Sequence, residues 1–65
     1  MNSFITIKDI YKGDVIVNIR NINYVAKSQS VENATAIIII NDDVLLTNQS
    51  VGDIVKKIFE AQAEI

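Results

Sequence analysis

Neither cysteine nor histidine occurs in this chain. Without thiols there is no disulfide and no thiolate metal site, and without imidazole the commonest zinc ligand and the commonest proton shuttle near neutral pH are both missing. Glycine occurs only as Gly13 and Gly52, too sparse for a glycine-rich phosphate loop. A serine or threonine nucleophile would have no histidine to activate it, and Lys27 beside Ser28 is a weak substitute. The single pair of adjacent carboxylates, Asp42-Asp43, would need further ligands from distant acids, whereas as a turn it needs nothing more. Asp9 and Asp14 flank a hairpin and read as solvated loop charges. These absences lead us to expect a non-enzymatic protein with no catalytic residues, no metal and no cofactor.

Long apolar runs are missing too. None approaches the length of a membrane span, and the N-terminus lacks the charged-then-apolar layout of a signal peptide. The expectation is a cytoplasmic protein without a membrane partner. A formal net charge of −2, with Lys8, Lys12, Arg20, Lys27, Lys56 and Lys57 spread along the chain, argues against nucleic acid as a partner.

Aliphatic side chains dominate what is present: 49% of the residues are hydrophobic, with isoleucine and valine foremost, which favours strands. Ile37-Ile38-Ile39-Ile40 is the strongest signal. On an extended strand Ile37 and Ile39 face one side and Ile38 and Ile40 the other. One domain of 65 residues normally builds one two-layer core and leaves the other sheet face polar. Leaving two isoleucines in water forgoes roughly 3–6 kcal/mol. Either the sheet curls strongly on itself, or a second copy covers Ile38 and Ile40. A homo-oligomer, a symmetric dimer in its simplest form, is the simpler solution for so short a chain.

The patterning predicts an α+β fold in one small domain: an antiparallel meander of five short strands followed by one amphipathic helix. The strands fall at residues 4–10, 15–18, 22–27, 34–40 and 44–47, and the helix at 51–64. Gly13 serves the first hairpin, a tight turn follows at residues 18–21, and Asn41-Asp42-Asp43 turns the last hairpin. Within the third strand Ile22, Tyr24 and Ala26 alternate against Asn23, Val25 and Lys27. Ser50 with Asp53 three residues on is a variant of the capping box. Val51, Ile54, Val55, Ile58 and Phe59 then recur as one apolar stripe.

The run Gly13-Asp14-Val15-Ile16-Val17-Asn18, then Ile22 and Val25, then Thr35-Ala36-Ile37-Ile38-Ile39, resembles the FlbD-like family of small bacterial proteins. In that family a hairpin glycine precedes an apolar "VN" strand end, a T-x-I-x-L strand leads to a tight turn, and a serine-led helix closes the domain. Asp43 stands near a turn where the family commonly has glycine, and Gln49 replaces its pre-helix glutamate. The resemblance implies the fold and a regulatory or adaptor role, with no catalytic residues to transfer.

Two functions are open at this point. One is an oligomeric interaction protein that binds a host or partner protein. The other is a phage- or mobile-element-type sponge that sequesters a small anionic molecule, such as a signalling nucleotide, in pockets between subunits. For the second, the polar cluster Asn18, Arg20, Asn21 and Asn23, with Tyr24 and Lys27, offers donors, acceptors, cations and a ring.

Overall fold

A computed structural model describes residues 3–63. Two antiparallel strands, β1 (Phe4–Asp9) and β2 (Gly13–Asn18), form a hairpin in which Phe4 stands opposite Asn18 and Asp9 opposite Gly13. Gly13 closes the turn at φ 79°, a left-handed conformation that costs glycine nothing. A second sheet holds β3 (Ile22–Lys27), β4 (Thr35–Ile39) and β5 (Val44–Thr47), in that order and all antiparallel. One helix, α1 (Val51–Ala63), follows.

The fold is α+β, as the patterning predicts, but the five strands do not make one continuous meander, and the sheets are not closed. A 3-10 turn, Ile19–Asn21, separates β2 from β3, and the N–H of Ile22 bonds back to the Ile19 carbonyl. β1 lies instead beside β5, and that seam joins the two sheets.

β4 is central in its sheet, and its alternation decides the core. Ile37 is fully buried and Ile39 packs against the core, while Ile38 lies half-buried on the opposite face. Ile40 has left the strand for a second 3-10 turn, Ile40–Asp42, because the chain reverses there through Asn41 at φ 70° and Asp42 at φ 62°. Asn and Asp tolerate that left-handed region better than other non-glycine residues. The expected alternation of β3 is also corrected. A bulge between Ile22 and Tyr24 lets Ile22 and Val25 both pack inward, and leaves Tyr24 and Ala26 outside.

Ile5 and Ile7 from β1, Val17 from β2, Ile37, Leu45, and Ile54 and Ala61 from α1 form the buried core. The helix is rotated relative to its expected stripe. Ile54, Ile58 and Ala61, at i, i+4 and i+7, face the sheets, whereas Val55 and Phe59 remain 37% and 66% exposed. Position 64, part of the expected helix, lies outside the described residues.

The helix start shows a reciprocal capping box. The Asp53 N–H donates to Ser50 Oγ (3.1 Å), and the Ser50 N–H donates to Asp53 Oδ2 (3.3 Å). Ser50→Ala should cost about 1 kcal/mol. In urea denaturation the midpoint should fall with the slope unchanged, and an unmoved midpoint would remove Ser50 from the cap.

Candidate functional site

The seam between the sheets is made by one backbone hydrogen bond and one side chain, both at Leu46. Leu46 turns its N–H and C=O toward β1. Its carbonyl accepts from the Ile10 N–H (2.8 Å), and its N–H donates to Asp9 Oδ1 (2.8 Å). The other carboxylate oxygen, Oδ2, accepts from the N–H groups of Tyr11 (2.9 Å) and Lys12 (2.8 Å) in the hairpin turn. Asp9 thus closes the first hairpin and substitutes for a strand carbonyl toward β5. It is 4% exposed, which corrects its reading as a solvated loop charge. The Leu46 N–H, foremost, and then the N–H groups of Lys12 and Tyr11 hold its carboxyl below the ordinary value, outweighing burial, which pushes it up. Asp14 does sit in solvent, opposite Lys8 rather than Asp9.

The outer face of the three-stranded sheet follows from the registers. Tyr24, Ile38 and Val44 form one row across β3, β4 and β5, and Ala26, Ala36 and Leu46 form the next. All six side chains are uncharged, and five are purely apolar. α1 lies on the other side of this sheet, where Ile37 and Leu45 are buried with Ile54. Tyr24 is 59% exposed and Val44 46%. Ile40 is 46% exposed in the turn that follows β4.

The polar residues singled out in the sequence do not gather at one site. Asn18 caps the first 3-10 turn, accepting from the Arg20 N–H at 3.0 Å. Arg20 and Asn21 are exposed in that turn, and Asn23 is exposed at the β3 bulge. Tyr24 belongs to the apolar row. Lys27, at the far end of β3, borders a separate depression of about 440 Å³ with Thr35 and Ser50 at the helix start. Of these six residues only Lys27 lines either of the two cavities described here.

A larger cleft of about 640 Å³ is lined by the β1–β2 hairpin, the end of β5 with the segment after it, and Lys57 of α1. Lys57 reaches across from the helix and donates from Nζ to the Thr6 carbonyl (2.8 Å). Lys8, Asp14, Asn48 and Gln49 also line it. Sequence reasoning had no means of pairing Lys8 with Lys57. They line one cleft only because the helix folds back over β1.

Among the described residues no helix is long and apolar enough to cross a membrane. Comparison with protein-family models, with curated proteins and with solved structures finds no match.

Proposed function

We propose that this chain is a non-enzymatic interaction protein that self-associates through the outer face of β3, β4 and β5. The observation that supports this is the pair of uncharged cross-strand rows, Tyr24-Ile38-Val44 and Ala26-Ala36-Leu46. Such a face meets its own copy without like-charge repulsion, even in a chain of net charge −2. Two sheets of this kind stack about 10 Å apart with interdigitating side chains. An isologous dimer covers Ile38 and Ile40 at once, which is the burial their position in the isoleucine run calls for. Ile16 on β2 and Phe59 on α1, 73% and 66% exposed, lie outside those two rows and are available to a partner protein. The FlbD-like resemblance agrees with a regulatory or adaptor role of this kind.

Sedimentation equilibrium at micromolar concentration should report a mass above the 7.2 kDa of one chain. Ile38→Lys should restore a folded single chain, with an unchanged circular dichroism spectrum. A wild-type protein that stays monomeric, or an Ile38→Lys variant that keeps the oligomer, would overturn the assignment.

A further inference from the structure

The cleft between β1, β5 and α1 lies within a single chain and shares no lining residue with the two rows of the sheet face, so it can be argued independently. Its volume of about 640 Å³ falls inside the 300–1,000 Å³ range of small-molecule sites. Two lysines, Lys8 and Lys57, line it. Lys57 is anchored by its bond to the Thr6 carbonyl, which uses one of its three donors and leaves two. Lys8, two residues along the same strand, brings the second cation.

The opposite charge is present as well. Asp9 and Asp14 both line the cleft, but they differ in what they have left to offer. Asp9 spends both oxygens on three backbone N–H groups. Asp14 is exposed and keeps its acceptor capacity for a ligand hydroxyl or N–H. Gln49 adds a further acceptor. Its Oε1 is buried without a hydrogen-bond partner, an unmet demand for a donor, while its side chain borders the cleft.

A bare inorganic anion would satisfy the lysines but leave the buried Gln49 Oε1 without a donor and Asp14 with water alone. From this combination we infer that the cleft binds a small phosphorylated, hydroxyl-bearing molecule, a sugar phosphate or a mononucleotide. The phosphate sits between Lys8 and Lys57, and ligand hydroxyl or amino groups donate to Asp14 and Gln49. This places small-anion recognition inside one chain, away from the Asn18–Arg20 turn that the sequence points to.

Amide chemical shifts followed during titration test this with AMP, ribose 5-phosphate, adenosine and inorganic phosphate as probes. AMP or ribose 5-phosphate should give saturable shifts at about 1 mM, centred on Thr6, Lys8, Asn48 and Gln49, with adenosine and inorganic phosphate much weaker. Lys57→Gln and Lys8→Gln should each weaken binding about tenfold, the loss of one charge-assisted contact. Lys56→Gln, one residue away on the exposed helix surface, should change nothing. The second lysine variant guards against destabilisation from losing the Lys57–Thr6 bond. The assignment falls if no probe saturates, if inorganic phosphate binds as well as the organic phosphates, if shifts centre on residues 18–24, or if Lys56→Gln matches Lys57→Gln. A monomeric protein that still binds AMP here would separate this site from the self-association proposed above.

Discussion

Asp9→Ala should destabilise the protein by about 2–4 kcal/mol, the largest effect of any polar substitution we foresee. Three hydrogen bonds to a charged acceptor disappear together. Each is individually worth about 1.5–3 kcal/mol, but they act as one network and do not add. Water can reach the turn N–H groups of Tyr11 and Lys12, whose residues are exposed, whereas Leu46 is half-buried and its N–H loses its seam partner. A domain of this size commonly has only about 3–10 kcal/mol in hand. Thermal denaturation followed by circular dichroism should therefore show a large fall in Tm. A change of less than about 1 kcal/mol would mean that the two sheets hold together without the carboxylate.

The same group carries a pH signature. Its folded pKa lies below the ordinary aspartate value, so in acid the unfolded chain binds the proton more readily. The stabilisation is fully present above that unfolded value and is lost as pH falls through the folded one. Asp9→Asn should be less stable than wild type at neutral pH, and the gap should narrow in acid. A gap that stays constant from neutral pH down through the acid range would show that Asp9 is not the linked group.

Ile37→Ala should cost about 2–5 kcal/mol, the range for emptying a fully buried aliphatic site. Ile38→Ala, one residue on, should behave differently. Ile38 is half-buried on the outer face, so in the single chain the change should cost less than half as much as Ile37→Ala. Its larger effect should fall on self-association. Urea denaturation at two protein concentrations separates these contributions, since only an oligomer's apparent stability depends on concentration. Equal costs for Ile37→Ala and Ile38→Ala, independent of concentration, would contradict both the strand parity and the proposed interface.

Where local chemistry is strong, the sequence sufficed. The capping box at Ser50 and Asp53, the hairpin glycine at position 13 and the left-handed Asn41-Asp42 turn all follow from interactions within a few residues of each other. Even half of the Asp9 site was readable in principle. An aspartate two and three residues ahead of turn N–H groups is a known local hydrogen-bonding pattern.

The remainder depended on partners distant in sequence. Leu46 lies 37 residues from Asp9, and Lys57 lies 51 from Thr6. Nothing in the local spacing distinguishes a solvated aspartate from one whose second oxygen will meet a strand edge. The bulge in β3 was likewise invisible, because strict alternation cannot anticipate an extra residue that brings Ile22 and Val25 to one face. The helix had a broad apolar stripe compatible with more than one rotation. Packing selected Ile54, Ile58 and Ala61 for the buried side, and Val55 and Phe59 turned outward. Residue pattern therefore determined which segments became strand, turn or helix, through steric and hydrogen-bonding preferences that act within a few residues. Their assembly into two sheets with a carboxylate seam and a cleft beneath the helix arose from close packing, which depends on all the surfaces at once.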